Sequence, residues 1–421
     1  MSPARPPSLQ PDAEQNGSAW QRTDEEVEPA PAIQMPVLPL YKGRGAVSAP
    51  QHRFARDQRE WLDDGWQALA GSASAEAPDE TDGWAHVQSV PETEVREEKA
   101  RSAIQRNDSP DIYFDHSVNP YRGCEHGCIY CYARPYHSYL NLSPGLDFET
   151  KLFAKTNIAE VLRREISHPR YQRASLNIGS ATDCYQPIER ELGLTRQLIE
   201  VLAEAGHPFS LITKSSTVER DIDLIAAAAQ EQGAAVYITI TSLDAALTRR
   251  LEPRAAAPHR RLRTIERLAA AGIPVGVSVA PHIPFLTDDM EQVLEAARQA
   301  GATSAFYTVL RLPWELNTVF QQWLQAFYPD RAARVMQRVR DLHQVSEADR
   351  QRGKSYDSQS FARMKGQGLW ADLVRQRFTR ACERLGFGRE RTVLDWARFE
   401  AWQRQQQPAA ARPGPQQTEL F

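Results

Sequence analysis

The stretch NPYRGCEHGCIYCYAR, Asn119–Arg134, packs Cys124, Cys128 and Cys131 into eight residues. The Cys-x3-Cys-x2-Cys spacing, with aromatic Tyr130 just before the last thiol, lets one loop gather three thiolates at a single metal centre. A 4Fe–4S cluster normally takes four cysteine ligands. A loop that offers three leaves one iron open, and an open iron can bind a ligand that reacts. Two other uses of the thiols stand beside this one. Structural zinc needs a fourth ligand, which His116, His126 or His137 can supply. Zinc sites usually draw on two separated pairs, however, and the remaining cysteines, Cys184 and Cys382, stand far off and alone. A disulfide framework fits worse, because the cysteine count is odd, the chain is long and nothing marks it for export.

Outward from the loop, residues 110–312 alternate strand and helix patterns. Apolar runs with strand character are Ile112–Phe114, Ser175–Ile178, Phe209–Ile212, Ala235–Ile240, Val275–Val279 and Ala305–Leu310. Helical patterns lie between them at Asn157–Ile166, Thr195–Ala205, Arg220–Gln232, Ala257–Ala271 and Asp288–Ala300. Gly206, Gly233, Gly272 and Gly301 follow four of these helices, where a left-handed cap favours glycine. Repeated β-α units predict an α/β fold with a parallel sheet and right-handed crossovers. In barrels of this kind chemistry sits at the C-terminal ends of the strands. The cysteine loop follows the first expected strand and so lies on that rim.

The 421-residue chain, 41% hydrophobic, is long enough for a substantial core. Its formal net charge of −4 gives no bulk attraction to nucleic acid, but the charge is uneven. Residues 1–100 hold 18 Asp/Glu against 9 Lys/Arg, whereas Arg331–Arg391 holds 15 Lys/Arg against 7 Asp/Glu. Such asymmetry fits a polyanion-facing module with an acidic tail, and equally fits solvated helix faces. The expected organisation is a mostly disordered region over 1–105 with a docking arm near 36–68, a barrel over 106–312, a basic helical extension over 313–402 and a disordered tail over 403–421. Helical stripes in the extension are Leu316–Phe327, Asp330–His343 and Leu369–Leu385, the last crowded by Arg375, Arg377, Arg380 and Arg384. No secretory or membrane-spanning stretch is expected, since the Ala-rich Leu224–Ala229 run is far too short for one. The cytoplasm is therefore the expected compartment, with no membrane partner, and it suits free thiols.

The cysteine signature resembles that of the radical S-adenosylmethionine (SAM) superfamily. The runs GSATDCYQPIE (Gly179–Glu189), Thr213–Lys214, ITITS (Ile238–Ser242), LEPR (Leu251–Arg254) and PVGVSVAPHIP (Pro274–Pro284) resemble the branch related to spore photoproduct lyase, often labelled "DNA repair photolyase". The arm RGAVSAPQHRF (Arg44–Phe54), the run NLSPGLDFETK (Asn141–Lys151) and YDSQSFARMKGQG (Tyr356–Gly368) are similar to an uncharacterised bacterial group within it. The resemblance covers roughly residues 40–390.

It implies a partial (β/α)6 barrel and a 4Fe–4S cluster on Cys124, Cys128 and Cys131. SAM would chelate the open iron, and reductive cleavage would give a 5′-deoxyadenosyl radical that abstracts hydrogen from substrate. Flavodoxin or ferredoxin is the expected kind of reductant. Among strand-end residues, Lys214 is placed to pair with the SAM carboxylate, and Ser180, Thr182 and Thr239 to hydrogen-bond ribose or carboxylate. Tyr130 can hold the adenine through its backbone, Asp183 can bind ligand or orient Lys214, and Arg254 can reach substrate or carboxylate. Each also has an ordinary structural use, in packing, capping or ion pairing.

One departure matters. Spore photoproduct lyase carries its hydrogen-donating cysteine where this chain has Ser180, three residues before the shared Asp183. A serine O–H bond is too strong for that task, so repair of the spore lesion does not transfer. Cys184 is the available substitute, or simply a buried thiol. The terminal QTELF (Gln417–Phe421) resembles the pentapeptide by which bacterial repair proteins bind the sliding clamp. Nucleic acid is the favoured substrate class. The alternatives are a radical SAM enzyme on a peptide or small metabolite, and a non-enzymatic zinc or Fe–S nucleic-acid-binding protein.

Overall fold

The computed structural model describes residues 40–55, 87–88, 92–356, 358–359, 361–388 and 394–406. Its strands are β1 (Leu40–Tyr41), β2 (Val87–Gln88), β3 (Glu94–Glu98), β4 (Ile104–Arg106), β5 (His116–Val118), β6 (Tyr121–Arg122), β7 (Lys151–Lys155), β8 (Leu176–Ile178), β9 (Phe209–Thr213), β10 (Ala234–Thr239), β11 (Val275–His282) and β12 (Ser304–Val309). A seven-stranded sheet has the order β12-β11-β10-β9-β8-β5-β4. Its six strands from β5 to β12 pair in parallel, and β4 closes one edge antiparallel to β5. The helices Ile158–Ile166, Leu194–Ala205, Ile222–Gln230, Pro258–Ala270 and Met290–Gln299 connect successive parallel strands. The strands are buried nearly throughout, as a parallel sheet covered by helices requires. β4 and β12 are edges that do not pair with each other. The fold is an open, partial (β/α)6 barrel.

The first parallel strand is not the expected one. Ile112–Phe114 forms a turn, and Tyr113 packs its ring against Phe114, Tyr237 and Phe306. The ladder is made instead by His116, Ser117 and Val118, all buried between β4 and β8. The polar pair hides the strand from a hydrophobicity pattern. Residues 94–105, assigned above to the N-terminal region, also build structure. Charged β3 (EVREE) adds in parallel to β7 in a separate three-stranded sheet with β6. Three of the four expected glycine caps have positive φ; at the fourth, Gln232 takes the left-handed turn in place of Gly233.

Two cores share the molecule. The larger lies between the sheet and its helices and includes Ile178, Leu211, Val236, Val277 and Leu294. The second joins Cys128, Ile129 and Tyr130 of the cysteine loop to Phe320, Trp323 and Val335 of the helices Leu316–Phe327 and Pro329–Leu342. The C-terminal extension is therefore one wall of the loop. Of its arginines, Arg377 pairs with Glu291 at 2.7 Å and Arg375 with Asp372. The last described helix, Ala397–Gln406, runs past the expected start of the tail at 403. Gln417–Phe421 lies outside the described residues. Among the described residues no helix is long and apolar enough to cross a membrane.

Candidate functional site

The cysteine loop leaves β5 through β6 and enters a 3-10 helix, Arg134–Leu140. Cys124 and Cys128 are buried, Cys131 is half-buried, and all three thiols are free. The loop is held by an internal clamp. Arg134, fully buried, donates Nε to the Cys128 carbonyl at 2.9 Å and Nη2 to the Gly127 carbonyl at 3.0 Å. Nη1 reaches the Gly145 carbonyl at 3.0 Å, and Nη2 also pairs with buried Glu149. Glu149 in turn accepts the Gly45 and Ala46 N–H groups at 2.9 and 2.8 Å. The runs RGAVSAPQHRF and NLSPGLDFETK thus meet the cysteine loop in one buried node.

That node tolerates no extra atom. A Cβ on Gly45 would lie 1.9 Å from the Gly127 carbonyl oxygen. Gly45→Ala is expected to lower stability by about 1–3 kcal/mol, the usual range for overpacking, and to reduce iron retained after reconstitution. A thermal melt and iron content equal to those of the native chain would show that the arm does not seat the loop.

Electrostatically the loop is a site for positive charge. Burial pushes the Cys124 thiol well up, and Asp183 and the two neighbouring thiols add to it. Cys128 is pushed up to about 12 by burial, with Lys214 opposing and Glu252 and Cys131 reinforcing the shift. A metal removes such protons by supplying the missing charge. A cubane cluster binds each thiolate on a different iron, so the sulfurs need not converge on one point. Among the described residues no group of three His, Cys, Asp or Glu side chains is arranged to hold a single ion. His137 meets the Lys151 carbonyl at 3.0 Å and His116 lies against Tyr171, so neither turns to the thiols. The donor set fits a cluster held by three cysteines.

Around the loop, the strand ends supply most of the expected residues. Asp183 accepts the Thr213 hydroxyl at 2.6 Å and the backbone N–H groups of Tyr185 and Lys214 at 2.9 and 2.8 Å. His126 Nδ1 stands 3.2 Å from the same carboxylate without hydrogen-bond alignment. Burial pushes the Asp183 carboxyl up, but His126, Thr213 and Lys214 outweigh it and hold the group below the usual carboxylate range. Asp183 therefore fixes the backbone that carries Lys214. The Lys214 ammonium lies 5.8 Å from the Tyr130 ring centroid and has no ion pair or hydrogen bond with another described residue. Burial acts to lower its pKa, but Cys128, Glu252 and Asp183 raise it further than burial lowers it.

Thr182 donates to the Tyr121 carbonyl at 3.0 Å, and Ser180 Oγ lies 3.4 Å from Asn119 Nδ2. Thr239 is buried at the end of β10, and its carbonyl accepts Arg261 Nη1 at 2.9 Å. Arg254 pairs with Glu125 of the cysteine loop at 3.0 Å. Cys184 lies in the main core, its Sγ 4.0 Å from the Ile178 carbonyl, and burial pushes its thiol well up.

Four functional residues have no obvious sequence signal as partners: Arg134, Glu149, Glu252 and Arg261. The Tyr130 hydroxyl donates to Glu252, which also accepts the Thr241 hydroxyl at 2.6 Å and pairs with fully buried Arg261. The phenol of Tyr130 is thereby locked in a buried polar network, which sets the position of the last turn of the cysteine loop.

The radical SAM superfamily profile matches residues 118–297. An uncharacterised protein of Mycobacterium tuberculosis is 39% identical over 233 residues, 55% of this chain and 67% of that relative. An uncharacterised protein of Methanocaldococcus jannaschii is 25% identical over 237 residues, 56% of this chain and 85% of that relative. Among solved structures, a spore photoproduct lyase mutant with bound AdoMet and dinucleoside spore photoproduct overlays with a TM-score of 0.48 and 15% identity, covering 74% of this chain and 85% of that one.

Proposed function

Because the chain belongs to the radical SAM superfamily, whose enzymes use a 4Fe–4S cluster and SAM, we propose that Cys124, Cys128 and Cys131 carry that cluster and that the substrate is nucleic acid. Cluster and SAM together supply one-electron cleavage of a sulfonium and hydrogen abstraction from the substrate. The protein's part is to hold and orient. Arg134 and Glu149 set the loop, Asp183 sets the backbone of Lys214, and the Lys214 ammonium, electrostatically linked to Cys128, is the proposed partner of the SAM carboxylate. Ser180, Thr182 and Thr239 stand at the neighbouring strand ends. Cys184 is fully buried in the main core, which favours the buried-thiol reading over a hydrogen donor.

The observation that carries this proposal is the loop: three free thiols within eight residues, clamped by a buried ion pair. The nucleic-acid class is motivated by the Lys/Arg excess over Arg331–Arg391, of which Arg363, Arg375 and Arg377 are held in ion pairs, and by Arg311, which has no ion pair with another described residue. Anaerobic reconstitution should load about four irons per chain, and addition of SAM and reductant should yield 5′-deoxyadenosine. Zinc in place of iron, or iron without nucleoside formation, would remove the proposal. For partners, we propose flavodoxin or ferredoxin as the reductant and the sliding clamp as the target of Gln417–Phe421. Deleting Leu420–Phe421 should abolish co-purification with the clamp; an unchanged pull-down would dispose of that partner.

A further inference from the structure

A second feature stands on the other side of the cysteine loop. Tyr132, one residue past Cys131, donates its hydroxyl to the Ser180 carbonyl. Arg311, just beyond β12, lies 4.2 Å above that ring. Together they form one wall of a cleft of about 800 Å³ whose other sides include Tyr136, Trp314, Lys354 and Tyr356. Tyr356, Ser358 and Gln359 therefore line a cavity that backs onto the cluster loop.

Its chemistry is unusual for an unused surface. Arg311 makes no ion pair or hydrogen bond with another described residue, and the Tyr132 ring is its partner. Lys354 shares Asp349 with Arg352, at 2.9 and 3.8 Å, so two cations face one carboxylate. Trp314 is 59% exposed and Tyr136 47%. Trp314 also has φ +47°, a costly conformation for a bulky residue and one that concentrates at functional positions. The pattern continues outside the mouth. The Arg53 guanidinium, paired with Glu315 at 2.8 Å, lies 4.5, 4.7 and 5.0 Å from the rings of Trp314, Phe54 and Tyr139, which leaves Arg311 as the cation without an ion pair to another described residue. Exposed rings interleaved with cations match a ligand that has planar faces and negative charge at short, regular intervals.

We propose that this cleft binds single-stranded nucleic acid, holding one unstacked nucleotide with its base on Trp314 and Tyr136 and its phosphate on Arg311. A volume near 800 Å³ is in the range of small-ligand sites and accommodates a nucleotide. Bases inside a duplex keep their faces stacked and cannot reach such rings, which selects a single strand or an extruded base. A peptide of acidic residues would satisfy the cations but leave the rings without partners. The assignment rests on the radical SAM proposal only for the purpose of the bound strand; the binding itself needs no cluster chemistry.

The test uses the reconstituted full-length chain and fluorescein-labelled dT12, followed by anisotropy at several salt concentrations. Binding should weaken linearly with salt on logarithmic axes, and Arg311→Ala should reduce that slope by about 0.7, one phosphate contact on a single strand. Trp314→Ala should weaken binding by about 5- to 150-fold, the worth of one base–aromatic stack, while Trp314→Phe should recover most of it. Circular dichroism on each variant separates loss of contact from loss of fold. The proposal is overturned by any of three results: no binding at low salt, native-like binding by both Arg311→Ala and Trp314→Ala, or displacement of dT12 by polyglutamate as readily as by unlabelled dT12. If iron and 5′-deoxyadenosine persist while dT12 fails to bind, this cleft assignment falls alone; if iron fails to load, the superfamily chemistry falls first.

Discussion

Replacing any one of Cys124, Cys128 and Cys131 by Ala is expected to abolish the cluster and every reaction that depends on it. Two remaining thiolates cannot hold a cubane that three already leave one ligand short. Cys128 and Cys124 are buried, so Ala at either position removes little volume and the fold should persist. Iron and sulfide should fall to background, the broad visible absorbance should vanish, and 5′-deoxyadenosine should not form. Cys382→Ala is the matched control, because Cys382 is a half-buried thiol on the distant helix Gly368–Leu385. Its iron content should equal that of the native chain. Cluster retention in any of the three loop variants would mean that the ligands have been misassigned.

Arg134→Met is expected to have the next largest effect. Both members of the Arg134–Glu149 pair are fully buried. Removing one member of such a pair typically costs about 3–5 kcal/mol, because the other charge stays buried without a partner. In this chain the loss is compounded: the carbonyls of Gly127, Pro144 and Gly145 lose their Arg134 donor, and that of Cys128 keeps only the Cys131 N–H. Urea unfolding should show the drop, and iron retention should fall with it. The double variant Arg134→Met, Glu149→Leu separates charge from scaffolding. It should regain part of the stability, since no carboxylate is stranded, yet not the iron, since the loop carbonyls and the Gly45 and Ala46 N–H groups stay unsatisfied. A double variant with native iron content would show that the clamp stabilises the fold without positioning the ligands.

The two variants probe different kinds of information. Cysteine spacing is local: three thiols within eight residues can be read from the sequence as a candidate ligand set. The β/α alternation is also local, carried by apolar runs and by glycines at helix ends, and five of the six parallel strands fall where those runs lie. The exception is instructive. β5 reads His-Ser-Val, and its polar side chains are buried only because β4 and β8 flank it. The apolar run just before it serves to pack aromatic rings rather than to form a ladder. Likewise β3 is a charged segment that becomes a strand because β7 offers it an edge.

The candidate site divides along the same line. Asp183 and Lys214 were visible as polar residues at strand ends, but their relation was not, since a carboxylate that accepts a backbone N–H thirty-one positions away leaves no trace in composition. The arginine-rich C-terminal helix gave the opposite error of emphasis: Arg377 and Arg375 are tied up in ion pairs, whereas Arg311, a lone arginine after a strand, faces a cleft.

Residue types and short spacings were thus enough to point to the superfamily, the α/β class and the rim on which the loop sits, because each depends on neighbours within one or two turns of chain. The clamp, the network around Glu252 and the basic aromatic cleft came into view only with the folded chain. Their partners lie up to a few hundred residues apart, and a buried charge is stable only where distant segments deliver its counter-charge and hydrogen bonds to the same point.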